Sequence, residues 1–174
     1  MNTVRGGLFG RARRAGRMDR RWGFATLVGA VVADQLSKSA ALEWLRRGEV
    51  VEIAPFFNLR LAFNRGISCG ILGDGAVGPV VLSAVTAVII AALLVWMWRT
   101  TSVVEAAALG LVAGGAIGNL VDRLLQGAVT DFLDFYVADW HWPTFNLGDS
   151  AITVGVGLML LAGLRTTRTK GAAK

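Results

Sequence analysis

Residues 75–98 run for 24 positions without a charged side chain, and Arg99 ends the run. About 20 apolar residues are enough for a helix to cross the hydrocarbon core of a bilayer. Backbone polar groups there have to be satisfied within the segment, so a run of this kind reads as a membrane-crossing helix. Residues 106–121 are uncharged again, and the spacing extends that helix from 102 to 125. A further span runs from 146 to 164, broken only by Asp149. Residues 22–33 are uncharged but too short to cross alone, and the pattern continues through Asp34 and Lys38 to 45. The chain has 174 residues, 54% of them hydrophobic, and a mean hydropathy of +0.55, so four spans and short loops account for most of it. The fold class expected is an all-α membrane protein, a four-transmembrane-helix bundle with spans 22–45, 75–98, 102–125 and 146–164.

The charges orient the bundle. Seven arginines lie in 5–21, and Arg165, Arg168, Lys170 and Lys174 close the chain, within a net charge of +6. A basic tail is one way to bind nucleic acid. Apolar spans follow directly, however, so the positive-inside rule is the better account, and no nucleic-acid partner is expected. Four spans put both termini on one side, together with Arg99, and that side reads as the cytoplasm. The loops 46–74 and 126–145 then face outward, and 126–145 contains Asp131, Asp134 and Asp139 but no Lys or Arg. The expected division is a basic cytoplasmic tail over 1–21, a transmembrane domain over 22–164 and a second basic tail over 165–174. Partial alternation in 50–53 and 56–64 points to short strands, giving a small extracytoplasmic β-rich loop region. An interfacial segment carrying Phe56, Phe57 and Phe63 is the alternative. Tyr136, Trp140 and Trp142 read as an aromatic belt at the outer interface. The single cysteine, Cys69, and single histidine, His141, exclude an intrachain disulfide and a His/Cys zinc site.

Ionisable residues near a membrane span are costly and default to function. Asp34 and Lys38, four apart, share a helix face and read either as an ion pair or as functional groups, with Lys38 also placed to snorkel toward headgroups. Gly114 and Gly118 match a small-xxx-small seam. Asn119, Asp122 and Arg123 project together, and Arg123 suits bidentate pairing with a carboxylate elsewhere. The turn N-R-G-I-S-C-G at 64–70 follows a strand and lacks the lysine of a phosphate loop. Cys69 as a nucleophile lacks a local base. Asp131 in V-T-D-F and Asp149 in F-N-L-G-D-S bracket the gap before the last span. Two neighbouring carboxylates share a proton, and such a pair activates water and protonates a carbonyl with no metal or cofactor. Helix capping competes for Asp149, and capping or solvation for Asp131, Asp134 and Asp139.

Five motifs stand in order: D-Q-L-S-K (34–38), N-R-G (64–66), G-G-A-I-G-N-L-V-D-R (114–123), V-T-D-F (129–132) and F-N-L-G-D-S-A-I (145–152). Over 22–164 the chain resembles the lipoprotein signal peptidases, also called signal peptidase II, which are bacterial inner-membrane aspartyl proteases. The resemblance implies four transmembrane helices and Asp131 with Asp149 as the catalytic dyad. It implies that Asn119, Arg123 and Asn146 support the dyad and bind the substrate backbone. Asp34, Lys38 and Asn64 match recurring polar positions with structural or substrate-positioning roles. The implied reaction is hydrolysis before a diacylglyceryl-modified cysteine of a prolipoprotein, in contact with membrane lipid, by a monomer needing no metal or cofactor. Two places depart from the pattern: G-I-S-C-G after Asn64, and Gly148 where alanine is usual, which adds backbone freedom beside Asp149. The alternatives are a small proton-coupled membrane transporter subunit with Asp34, Asp131 and Asp149 as relay sites, and an adaptor whose arginine tail binds anionic lipid.

Overall fold

A computed structural model describes residues 5–66 and 77–171, with side chains over 20–66 and 80–164. Ser68, Cys69 and Gly70, the arginine side chains from Arg5 to Arg17, and those of Arg165, Arg168, Lys170 and Lys174 lie outside the described residues. Four helices form: α1 (Arg5–Trp44), α2 (Val77–Arg99), α3 (Val103–Gln126) and α4 (Leu147–Gly171). Among the described residues, three segments are long and apolar enough to cross a membrane: Val80–Arg99, Val103–Gln126 and Leu147–Leu164. Composition therefore supports three of the four expected spans, because Asp34, Lys38 and Glu43 interrupt the apolar residues of α1 that follow Trp22. Val80, Val85, Val88 and Ile89 on α2, and Leu160 and Leu161 on α4, are exposed, as suits surfaces facing lipid rather than water.

Helix α3 packs against each of the other three helices. Its close neighbours are possible because it carries glycine where they approach. A methyl group added at Gly110 would stand 2.2 Å from the Gly23 carbonyl oxygen, and one at Gly114 would stand 2.6 Å from that of Leu27. Gly118 continues this row along α1, so the seam runs one step further than the Gly114–Gly118 pair. Gly115 turns a quarter away and serves α4 instead, where the Gly148 carbonyl would lie 2.2 Å from an added methyl. Such contacts supply the packing that holds membrane helices together.

The loops between helices build a four-stranded antiparallel sheet in the order β1-β2-β3-β4: Val50–Ala54, Phe57–Asn64, Val129–Val137 and Trp140–His141. The strand reading of 50–64 is the one observed, and the interfacial-helix alternative is not. The sequence reading missed β3. Nine residues of the loop 126–145 form the strand that pairs with β2. Strand β2 advances from Leu59 to Ala62 while β3 steps from Leu133 to Asp131, so β2 holds one extra residue. A bulge of this kind bends and twists the strand. Leu59, Leu61 and Leu133 pack with Phe132 onto Ala41 and Leu45, which fixes the sheet to the end of α1. Gly127 ends α3 at φ 73°, a left-handed cap that turns the chain straight into β3.

Candidate active site

Asn146 caps α4, and Asp149 is the third residue of that helix. Asn146 Oδ1 accepts the Asp149 N–H at 2.9 Å, and Asp149 Oδ2 accepts the Asn146 N–H at 3.3 Å. This is a capping box with aspartate in the place usually held by Glu or Gln. Capping engages only Oδ2 of Asp149. Its Oδ1 accepts from Asn119 Nδ2 of α3 at 2.8 Å.

Asp131 reaches the same point from β3 and is 2% exposed. Asn146 Nδ2 donates to Asp131 Oδ1 at 2.6 Å, so one side chain binds both aspartates. The same nitrogen lies 3.1 Å from Asn119 Oδ1 and 3.4 Å from the Thr130 carbonyl. The Asn64 side chain also acts on Asp131, helping to hold its carboxyl down. The β2 bulge makes this possible: beyond it Ala62 pairs with Asp131 and Asn64 with Val129, so Asn64 shares the Asp131 face. Asn64 Oδ1 accepts the Gly66 N–H at 2.8 Å, and Gly66 has φ +75°, closing the N-R-G turn.

Burial pushes Asp131 up from 3.8 to about 6. The Asn146 hydrogen bond opposes the rise, the Asp149 charge adds to it, and the Asn64 side chain and Lys38 charge oppose it more weakly. As pH falls, Asp131 takes up a proton well above the ordinary carboxylate range.

Behind the aspartates lies a buried charged cluster. Lys38 Nζ stands 2.8 Å from Asp34 Oδ2, 3.1 Å from Asp122 Oδ2 and 2.8 Å from Asn119 Oδ1. The ion pair expected within α1 is present, but Lys38 is 2% exposed and does not snorkel. The free oxygen of Asp34, Oδ1, accepts the Gly148 N–H at 2.8 Å. That bond satisfies a backbone donor of the first turn of α4, which has no partner within the helix. Asp122 Oδ2 accepts the Thr130 N–H at 2.9 Å, tying β3 to α3. Gln35, to which the sequence reading gave no role, closes the cluster through Asp122 Oδ1 at 3.1 Å and the Gly118 carbonyl at 3.2 Å. Gly148 matters here for closeness rather than freedom. A methyl group on it would meet Asn146 Oδ1, Asp34 Oδ1 and the Gly115 carbonyl oxygen, each at 3.0 Å.

Arg123 approaches from one side. Its Nη1 lies 3.5 Å from the Asn119 carbonyl, and the charges acting on it are those of Asp149, Asp131 and Asp122. Among the described residues it makes no ion pair, so the expected bidentate partner is not found there. It lines an apolar groove of about 590 Å³ between α2 and α3, with Val80, Ser83, Ala84, Leu120 and Leu124.

The remaining candidates separate from this site. Asp134 is neither solvated nor a helix cap: it is fully buried, 3.2 Å from Arg60 Nε and 3.0 Å from His141 Nδ1. His141 is thus committed to Asp134. Among the described residues, no three His, Cys, Asp or Glu side chains converge as a metal-binding group.

A family model described as signal peptidase (SPase) II matches residues 26–165. A lipoprotein signal peptidase of Paraburkholderia phymatum is 45% identical over 150 residues, covering 84% of this chain and 88% of the relative. One from Coxiella burnetii is 40% identical over 150 residues, covering 84% of this chain and 91% of its own. A solved structure of a bacterial membrane enzyme, determined by the in meso method at 2.3 Å resolution, superposes with a TM-score of 0.73 at 30% identity. It covers 85% of this chain and 90% of that one. These matches leave the transporter alternative without support.

Proposed function

The chain belongs to the signal peptidase II family, and on that premise we propose that it is an intramembrane aspartic endopeptidase acting on prolipoproteins. It cuts the peptide bond before a diacylglyceryl-modified cysteine and so removes the signal peptide. The observation that carries this reading is the Asn146 side chain, hydrogen-bonded at once to Asp131 at 2.6 Å and to the Asp149 N–H at 2.9 Å. It brings two carboxylates from separate elements to one place.

In this reading Asp131 and Asp149 are the catalytic pair. One carboxylate takes a proton from water as the water oxygen attacks the scissile carbonyl carbon. The protonated partner gives its proton to the carbonyl oxygen, forming a tetrahedral diol. When the diol collapses, the C–N bond breaks, the nitrogen receives a proton, and a carboxylic acid and a free amine remain. Asp131, pushed up to about 6, is the member assigned the proton that goes to the carbonyl oxygen. Asn119 and Asn146 hold the pair, Asn64 steadies Asp131, and Arg123 faces the substrate backbone from the mouth of the apolar groove. That groove receives the apolar part of the substrate from the lipid.

For the topology, α1 acts as the fourth span. Its Asp34 and Lys38 lower each other's cost in the bilayer by pairing. Both basic tails, 1–21 and 165–174, then lie in the cytoplasm, flanking the peptidase domain 22–164 of a bacterial inner-membrane monomer. The sheet and the dyad lie at the extracytoplasmic surface, with exposed Trp140 and Trp142 at the interface. The test is cleavage of a diacylglyceryl-modified prolipoprotein in detergent or liposomes by wild type, Asp131→Asn and Asp149→Asn. Wild type should cut before the lipidated cysteine and both folded variants should be dead. Equal cleavage of an unmodified precursor would remove the lipid requirement.

A further inference from the structure

We infer that Lys38 is a positioning residue of the dyad, one that sets which end of the Asn119 carboxamide faces Asp149. The inference rests on the aspartic peptidase reading. Lys38 Nζ has three protons and three acceptors in reach: Asp34 Oδ2 at 2.8 Å, Asn119 Oδ1 at 2.8 Å and Asp122 Oδ2 at 3.1 Å. No proton is left over for a peptide carbonyl or a lipid phosphate, and the side chain is buried.

An ammonium only donates, so the atom of Asn119 that faces it has to be the oxygen. The carboxamide is planar, and its other end then has to be the NH2 group. That group lies 2.8 Å from Asp149 Oδ1 and donates to it. Turning the amide over would set NH2 against the ammonium and a carbonyl oxygen against the Asp149 carboxylate, two mismatches in one step. Asn146 Nδ2, 3.1 Å from Asn119 Oδ1, adds a second donor on the same side. The Asn146 amide is oriented separately, because its Oδ1 accepts the backbone N–H of Asp149 at 2.9 Å. The two asparagines are thus set by different donors, Asn146 by the main chain and Asn119 chiefly by Lys38, the nearer of its two donors. Asp34 and Asp122 fix the ammonium from α1 and α3, so a buried cluster behind the aspartates dictates how Asp149 is held.

The test compares kcat and KM on a diacylglyceryl-modified prolipoprotein for wild type, Lys38→Met, Asp34→Asn with Lys38→Met, Asn119→Ala, and Asn119→Ala added to the charge-balanced pair. The pair keeps the cluster at one net negative charge, as in wild type, and avoids leaving two uncompensated carboxylates in the interior. It should lower kcat about 10- to 100-fold, the effect of losing a hydrogen bond to a charged group, with KM within about twofold. Adding Asn119→Ala should lower kcat no further, because both changes remove the same interaction. Multiplying losses, or a raised KM with kcat unchanged, would overturn the inference. If the lysine variants do not fold, Asn119→Asp decides. It keeps an acceptor for Lys38 but cannot donate to Asp149, so kcat should fall at least as far as in Asn119→Ala; near-wild-type kcat would sink the inference. A folded wild type that never cleaves refutes the peptidase reading itself, which is a separate result.

Discussion

Asn146 donates its side-chain NH2 to Asp131 at 2.6 Å while its side-chain oxygen caps α4 through the Asp149 N–H. The two ends of one amide therefore do separable jobs. Asn146→Ser keeps a capping oxygen and loses the amide donor, whereas Asn146→Ala loses both. The serine variant should melt near wild type and lose activity, about 10- to 100-fold in kcat, for want of the donor. The alanine variant should lose that activity and also about 0.5–2 kcal/mol of stability with the cap. Thermal melting beside kinetics checks both, and an active Asn146→Ser would show that the donor is dispensable.

Asp131 makes stability depend on pH. The native protein holds this proton between 3.8, where a free aspartate releases it, and about 6, where the buried one does. Its favourable contribution is therefore complete below 3.8 and is lost as pH rises through about 6. Above that, the folded state carries a buried charge that the unfolded chain solvates freely. Asp131→Asn should accordingly be inactive yet more stable than wild type at pH 7.5, by about 2–3 kcal/mol. The gain should shrink toward zero near pH 4. Melting of both proteins in detergent across this range measures it, and a variant less stable at pH 7.5 would contradict the buried-charge account.

Membrane helices were legible because an uncharged run such as 75–98 has one physical solution. Asp149 was legible as a first-turn residue of the last helix, whereas Asn146 came only from the resemblance, and their reciprocal capping bonds emerged with the structure. Partners that come from other elements were not legible. Periodicity places Asp34 and Lys38 on one face of α1, which makes their ion pair legible, but it does not say that the face meets Asp122 and Asn119 of α3, so snorkelling by Lys38 stays open. For Asp134 capping and solvation are the readings the sequence offers, since Arg60 and His141 meet it only through the sheet. Strand β3 was hidden because buried Asp131 and Asp134 interrupt the apolar alternation that marks a strand. The bulge in β2 leaves no mark in the sequence either. Counting alternate residues from Asn58, which pairs with Asp134, would put Asn64 on the face away from Asp131.

Gly118 and Gly157 provide a paired test of the helix seams. A methyl group on Gly118 would stand 2.1 Å from Asp34 Oδ2, while one on Gly157 would meet nothing within 4 Å. Gly118→Ala should displace Asp34, costing about 1–3 kcal/mol through overpacking. It should also lower activity by loosening the Gly148 N–H contact that seats the start of α4. Gly157→Ala should be neutral or slightly stabilising, since alanine favours a helix by up to about 1 kcal/mol over glycine. Melting and cleavage rates for the two variants should separate cleanly, and equal effects would mean that the α1–α3 contact does not constrain the site.

Asp131 and Asp134 lie on one strand three residues apart, so strand alternation turns them to opposite faces. Asp131 meets Asn146 and Asn64, and Asp134 meets Arg60, His141 and Asn58. Both are buried acids, and burial alone does not tell which one reacts. Their partners do. Asp134 has a guanidinium and an imidazole as neighbours, both on half-exposed side chains, and among the described residues no carboxylate beside it, which is an arrangement for holding β2, β3 and β4 together. Asp134→Asn should therefore lower stability by about 1–3 kcal/mol, the cost of weakening a buried hydrogen-bonded network. The folded fraction should keep kcat within a few-fold of wild type. Asp131→Asn should do the reverse, with activity falling by about 10²- to 10⁴-fold, the scale of a lost acid–base group. Measuring melting temperature and kcat for both variants gives a crossed pattern that neither a general loss of buried charge nor a general loosening of the sheet can produce. A dead but fully stable Asp134→Asn would move the chemistry to the other face of β3.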